Sequence, residues 1–245
     1  MPDSFNNTQN SLEEAWDNVW DFWSPDNSWK NEKDKCIEIQ KKLVCFDTGH
    51  SGDLDHIDNV IKAVSRGVAL MGAATGWQEP AIGKNKSRKP LDKLRGHQWR
   101  LVITYSGFEI TLKALMNLQG RNTNTNITAA SEMFIQKCHL PEYSLLVAPD
   151  KKSSLEKWVN KEEGKLAEFL GVTNGDRKII ENWIVKSQPI DSWEKAVKLA
   201  KAIRNASAHG FLAATKVNEL GLKPGLRKLT DDLASIVKFG LHKLI

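Results

Sequence analysis

Apolar residues recur at three- and four-residue intervals along most of this chain, and this spacing is the feature that most restricts its fold. Strict alternation of apolar and polar residues, which indicates a half-buried strand, is not sustained in any window. The sequence therefore predicts an all-α protein, and 245 residues supply enough chain for a sizeable core. The clearest apolar stripes span residues 12–23, 53–71, 95–118, 191–203 and 224–241.

Start signals refine the boundaries of several helices. Ser11 and Glu14 have the spacing of a capping box, which predicts that the first helix begins there. Asp191 and Pro224 are expected to open two later helices. A loop without core-forming residues is predicted over 120–126. Shorter helices are predicted from residue 36 to an end near 46–49, and over 129–138, 154–170 and 176–186.

A basic stretch containing proline, residues 83–90, interrupts the helical pattern and predicts a linker or an exposed loop. We place a domain boundary there, between an acidic, Trp-rich helical region (1–90) and a helical bundle (91–245). Residues 1–60 hold 5 Lys/Arg against 13 Asp/Glu; since the chain carries +5, residues 61–245 carry +13. This excess is typical of proteins that bind a polyanion, although a solvated Lys-rich surface explains it equally well.

Two features indicate the cellular compartment. The N-terminus is polar and lacks a basic region followed by an apolar one, and the longest nearly uncharged run is too short to cross a bilayer. Three cysteines, Cys36, Cys45 and Cys138, are too few for a disulfide framework, and their odd number fits a reducing compartment. The sequence predicts a cytoplasmic protein that does not associate with membranes.

A metal site is not predicted. Cys36 and Cys45 could be combined with His50 and His56 into a zinc-binding set, but no CxxC or HxxxH spacing supports it. Small buried thiols are the better interpretation of these cysteines.

The strongest functional signal lies at the end of the helix predicted over 191–203, where Arg204, Asn205 and His209 follow one another with small residues between them. Asn205 and His209 share a helix face, and Arg204 lies roughly 140° from His209. An imidazole can transfer a proton at a ribose hydroxyl or at the leaving oxygen, and a guanidinium can hold a phosphate by two parallel hydrogen bonds. Asn205 can orient the imidazole or the phosphate, and this chemistry requires no metal or cofactor.

The pattern of Arg204, Asn205, three further residues and His209, late in a helix, resembles the Arg-polar-x3-His signature of HEPN domains, which occur in ribonuclease toxins and antiviral effectors. The resemblance covers residues 95–245 and implies a helical bundle in which Arg204 and His209 are catalytic. It also implies a homodimer with a composite active site, and cleavage through the ribose 2′-hydroxyl that leaves a cyclic phosphate. A protein antitoxin or another regulatory partner fits such a setting. In HEPN toxins that a nucleotidyltransferase silences, the modified residue is often a Tyr two positions after the His. This chain has Phe211 there, which argues against silencing by nucleotidyl transfer.

RNA is the expected partner, and four basic residues are candidates for contacting its backbone: Lys89, Arg95, Arg100 and Lys201. Trp99 is either a stacking ring or a core residue, and we favour the core. The predicted function is a metal-independent endoribonuclease of HEPN type. The alternatives are a catalytically inactive HEPN module that binds RNA or assembles a defence complex, and a helical adaptor without a nucleic-acid role.

Overall fold

The structure, a computed structural model, describes residues 4–23, 33–77, 90–118, 127–150 and 178–245. A π-helical turn, Glu181–Val185, lies between the fifth and sixth of its α-helices. In chain order the helices are α1 (Ser4–Trp23), α2 (Lys33–Leu43), α3 (Leu54–Gly76), α4 (Pro90–Leu115), α5 (Ile127–Cys138), α6 (Trp193–Ala208), α7 (Ala214–Glu219) and α8 (Lys223–Leu241).

The predicted all-α class is confirmed. The apolar stripes account for it: in α3, for example, Ile57, Val64 and Val68 are all buried, as the helical period requires. Within the described ranges, strand-like pairing is limited to one antiparallel bridge between Leu146 and Ile190, which exchange two hydrogen bonds of 2.9 Å. No helix in those ranges combines the length and apolar character that crossing a bilayer requires.

Some helix starts differ from the prediction. α1 begins at Ser4, so Ser11 lies inside the helix and the predicted capping box is wrong. The polar residues before Ser11 continue the helix, because Ser, Asn and Gln cost at most about 0.7 kcal/mol each in a helix interior. α6 begins at Trp193, with Ser192 rather than Asp191 as its cap, and runs on to Ala208.

Other predicted elements are altered, missed or untested. The helix predicted over 176–186 ends in the π-helical turn Glu181–Val185, where Lys186 donates its N–H to the carbonyl of Glu181 at 3.0 Å. The six-residue α7 was not predicted, because it is too short to show a periodic pattern. The loop over 120–126, the helix over 154–170 and all but Pro90 of the linker lie outside the described residues. Pro90 itself is the first residue of α4, a position that tolerates proline.

The chain divides into two compact units, and each unit is assembled from separate stretches of sequence. Unit 1 comprises Met1–Ala73, Ser106–Pro141 and Leu233–Ile245, and unit 2 comprises Ala74–Tyr105 and Glu142–Asp232. Neither unit coincides with the predicted regions 1–90 and 91–245. Three of the four divisions between the units fall within α3, α4 and α8, and the predicted boundary in the linker over 83–90 stays a prediction.

In unit 1, α3 and α4 approach closely where two glycines meet. A Cβ atom added to Gly107 would lie 2.5 Å from the Gly67 carbonyl oxygen and 2.6 Å from the Met71 side chain. A Cβ atom on Gly67 would in turn lie 2.8 Å from the Gly107 carbonyl and would collide with the Thr111 hydroxyl. The missing side chains therefore set the distance between the two helices.

In unit 2, a polar cluster attaches the segment after Glu142 to α8. The Tyr143 hydroxyl donates to Asp232 at 2.7 Å, and the Lys228 ammonium donates to the other carboxylate oxygen at 2.9 Å. Burial raises the pKa of Asp232, and burial together with this carboxylate raises the pKa of Tyr143. The pair is buried but fully hydrogen-bonded, which is how such groups are tolerated in a core.

The close approach at Gly107 generates a paired prediction on one helix. We expect Gly107→Ala to lower the free energy of unfolding by about 1–3 kcal/mol, because the added methyl group meets backbone that cannot move aside. Gly96→Ala in the same helix should raise it by up to about 1 kcal/mol, because a Cβ there meets no atom of the described residues within 4 Å and alanine favours the helix. Urea denaturation followed by circular dichroism measures both. A shift of the same sign in both variants would contradict the proposed packing.

Candidate functional site

The candidate site lies at the C-terminal end of α6 in unit 2, and the start of that helix is fixed by its cap. The Ser192 hydroxyl accepts a hydrogen bond from the Lys195 N–H at 3.3 Å, as an N-cap residue does. An apolar stripe then runs to Ala206 and holds the helix against the core. The buried residues of this stripe are Ala196, Val197, Leu199, Ala200, Ala202, Ile203 and Ala206.

The helix ends at a glycine in the left-handed region. Gly210 has φ +76° and donates its N–H to the Ser207 carbonyl at 3.1 Å. Leu212 then donates its N–H back to the Ala206 carbonyl at 3.0 Å. His209 is the C-cap residue, and its N–H is bonded to the Asn205 carbonyl at 3.1 Å. The chain reversal leaves the His209 side chain exposed.

The guanidinium of Arg204 is positioned by two neighbours. Its Nη1 donates to the Asn205 side-chain oxygen at 2.9 Å, and its Cζ lies 5.5 Å from the ring centre of Tyr105 in α4. A guanidinium at this distance from an aromatic ring is attracted by the negative potential of the ring face. Arg204 is half-buried and Tyr105 is buried, so the ring restricts the orientations that Arg204 can adopt.

Gln98 of α4 fixes the turn that follows α6. Its side-chain amide donates to the Leu212 carbonyl at 2.6 Å and lies 3.5 Å from the Ser207 hydroxyl. Gln98 is only 5% exposed and Leu212 3% exposed, so this bond is made in a dry environment. Gln98 and Tyr105 are seven residues apart and therefore lie on one face of α4. That face supports both Arg204 and the turn beyond His209.

The structure thus brings the three predicted catalytic residues to one helix end. Arg204 and Asn205 are in direct contact through their side chains, and His209 is linked to Asn205 through the backbone. The predicted role of Asn205 in orienting the imidazole or the phosphate stays a prediction; the observed contact orients Arg204. Phe211, next to the turn, is 49% exposed.

The predicted RNA-binding residues differ in their surroundings. Arg95 faces Asp92 at 3.6 Å, while Arg100 donates its Nε to the Trp77 carbonyl at 3.2 Å. Burial lowers the pKa of Arg100. Lys201 is half-buried on α6, and Lys89 lies outside the described residues. Whether any of these side chains contacts RNA stays a prediction.

The alternative zinc set is disfavoured by the contacts of its most buried histidine. In unit 1, the Nε2 of His50 is hydrogen-bonded to the Leu115 carbonyl at 2.8 Å, and its Nδ1 to the His56 ring at 2.9 Å. Both ring nitrogens of His50 are therefore engaged, and burial lowers its pKa. Across the part of the chain that is described, no group of three or more His, Cys, Asp or Glu side chains is arranged to hold a metal ion.

Comparisons of the chain with protein-family models, curated proteins and solved structures found no match. The resemblance to HEPN domains therefore depends on the motif that contains Arg204 and His209 and on the helices around it. The geometry of this site carries the functional information, because an all-α fold by itself is compatible with many activities.

Two contributors to the site, Gln98 and Tyr105, were not found by sequence reasoning. Both lie in the helix predicted over 95–118, where Gln98 looks like an ordinary surface residue and Tyr105 like an ordinary core residue. No local spacing connects them to residues about a hundred positions later, so the sequence carried no signal that could have identified them.

The buried bond of Gln98 generates a prediction about the turn after His209. Gln98→Met keeps the length of the side chain but leaves the Leu212 carbonyl without its donor, which should lower the free energy of unfolding by about 1–3 kcal/mol. Amide hydrogen exchange of residues 209–212 should also become faster. Gln136→Met, at an exposed position of α5, serves as the control and should change neither quantity. Unchanged exchange in Gln98→Met would show that the turn does not depend on this bond.

Proposed function

We propose that this chain is a metal-independent endoribonuclease of HEPN type that acts through Arg204 and His209. The observation that carries the proposal is the position of these residues: a positioned guanidinium and an exposed imidazole lie at the same end of α6. A side chain that must exchange protons with a bound polymer has to be accessible, and His209 meets that requirement. Had the imidazole been enclosed in the core, the proposal would have failed.

The chemistry follows from what the two groups can do. His209 can remove a proton from a ribose 2′-hydroxyl, whose oxygen then attacks the adjacent phosphorus, or return a proton to the departing 5′-oxygen. The bond between phosphorus and the 5′-oxygen breaks, and a 2′,3′-cyclic phosphate remains. Arg204 can stabilise the charge that develops on the phosphate oxygens. Its contact with Tyr105 and Asn205 holds the guanidinium in place before a substrate arrives, which reduces the entropic cost of binding.

The setting of this activity belongs to the same proposal. By resemblance, two copies of the chain pair in the cytoplasm so that both motifs form one composite site. A toxin or antiviral role, with a protein antitoxin or another regulator, would then control when RNA is cleaved. Sedimentation velocity of the full chain measures the homodimer directly.

A catalytically inactive module that binds RNA is the second candidate, and the uneven charge favours it. Residues 61–245 carry +13, and polyanion binding by Lys and Arg needs no catalytic groups. The two candidates share the ligand but differ in whether the RNA is cut. Salt-sensitive binding of RNA that remains intact would favour the second.

Cleavage of total RNA by the purified full chain in EDTA tests the first candidate. We expect His209→Ala to lower the rate by about 10²–10⁴-fold, the usual contribution of a general acid or base, and Arg204→Ala by about 10²–10³-fold. The products should carry 2′,3′-cyclic phosphate ends, and a 2′-deoxy substrate should not be cut. His242→Ala and Arg66→Ala, both at exposed positions outside the site, are the matched controls.

Contamination by a host ribonuclease is the main competing explanation of any cleavage. It would cut equally well in every preparation, whichever residue has been changed. Equal rates for the parent chain, His209→Ala and Arg204→Ala would therefore exclude catalysis by this site.

A further inference from the structure

A second feature of unit 2 is a pair of tryptophans beside α4. Trp77 directly follows α3, and its ring centre lies 6.3 Å from that of Trp99 in α4, with the planes inclined at 54°. Arg100 donates its Nε to the Trp77 carbonyl at 3.2 Å, which ties the residue after α3 to α4. Trp99 nevertheless remains 37% exposed, so the expectation that it is a core residue is wrong. Trp77 contacts the ring, and 37% of the Trp99 surface remains accessible.

The surroundings of this pair are basic. Lys93 is exposed, and Arg95 lies one helical turn before Trp99 on the same stripe of α4. His97 lies between them in sequence; burial and the nearby charges of Arg100 and Lys223 lower its pKa to about 4. His97 is therefore uncharged at neutral pH, and the positive potential comes from the Lys and Arg side chains. Asp92, which faces Arg95, is the one acidic residue of the described stretch 90–105.

An exposed aromatic ring held by a second ring, among cations, fits one kind of ligand particularly well. A nucleobase can stack on the ring while its phosphates are attracted by neighbouring Lys and Arg side chains. An acidic peptide would be attracted by the cations but would gain less from contact with a flat indole ring, and a purely apolar partner would gain nothing from the Lys and Arg charges. The combination favours single-stranded nucleic acid.

We propose that Trp99, supported by Trp77, is a stacking platform for a base of single-stranded RNA, and that the exposed Lys93 attracts an adjoining phosphate. The choice of RNA rests on the proposed function, but stacking does not require that the strand be cut. Trp99 follows Gln98, whose amide holds the turn after His209. Consecutive residues of α4 therefore support the candidate active site and present the platform.

Binding of a ligand that cannot be cleaved tests the platform separately from catalysis. The probe is a short fluorescein-labelled 2′-O-methyl oligoadenylate, which lacks the attacking hydroxyl, and fluorescence anisotropy of the full chain gives Kd. We expect Trp99→Ala to raise Kd by about 5- to 150-fold, the effect of losing one stacked base. Trp99→Phe should keep most of the affinity, because it keeps a ring. Met133→Ala, at a position 50% exposed in unit 1, controls for the loss of exposed apolar surface.

Salt dependence separates stacking from charge. Lys93→Gln should reduce the slope of log Kd against log salt concentration by about 0.7, as expected for one lost phosphate contact with a single strand. Trp99→Ala should leave the slope unchanged. Circular dichroism and thermal unfolding of each variant establish that it is folded.

The outcomes are distinct. Weaker binding by Trp99→Ala with an unchanged slope supports the platform, even if unmodified RNA is bound but never cut, in which case only the nuclease proposal fails. Equal Kd values for the parent chain and Trp99→Ala overturn it. Failure of the parent chain to bind the probe also overturns it; self-association that is lost in Trp99→Ala would then assign this surface to a protein contact.

Discussion

The geometry of the candidate site depends on the hydrogen bond from the Gln98 amide to the Leu212 carbonyl. Leu212 uses both of its backbone groups to define the turn, since its N–H returns to Ala206 and its carbonyl accepts from Gln98. Residues 208–211, which include His209, are all exposed and have little packing of their own. They are held between the end of α6 on one side and an anchored leucine on the other. An exposed imidazole with a defined position therefore requires a buried amide nearby.

Much of the fold could be predicted because the buried side of a helix produces a local pattern of apolar residues three and four positions apart. The stripe in α3 and the one in α6 are visible without any knowledge of what covers them. Helix ends are less visible, because the energy that decides between one more turn and a loop is small. Ser11 has the pattern of a cap and yet lies within α1, whereas Ser192, which was not predicted as a cap, accepts a hydrogen bond from the Lys195 N–H.

The site could be predicted only where it is local. Arg204, Asn205 and His209 are close in sequence, so a motif can contain them. Gln98 and Tyr105 reach the same helix end across 114 and 99 positions, and such contacts are set by tertiary packing. Trp99 shows that the exposure of a side chain is also set by tertiary packing and not by local sequence. Its apolar character suggested burial, but only the arrangement of neighbouring elements determines whether a ring at that position is covered.

Net charge is an incomplete guide to how this chain would contact RNA. Arg100 contributes to the basic count, yet one of its donors holds the Trp77 carbonyl and burial lowers its pKa. Arg95 is close to a carboxylate, whereas Lys93 is exposed. Counterion release depends on cations that can approach a phosphate, so the electrostatic contribution should be smaller than the excess of +13 in residues 61–245 implies. A stacking ring would supply affinity that does not weaken with salt.

α4 explains why fold and site are difficult to separate in this protein. Gly107, in its C-terminal half, sets the distance between α4 and α3. In the preceding turns, Gln98 binds the Leu212 carbonyl and Trp99 packs against Trp77. Tyr105 contacts the Arg204 guanidinium. When a helix has partners on several sides, many of its polar side chains cannot remain in water, and burying them costs free energy. A buried polar residue in such a helix must find a partner or destabilise the core. For Gln98 that partner is the carbonyl of Leu212. The same hydrogen bond satisfies the buried Gln98 amide and positions the turn that follows α6.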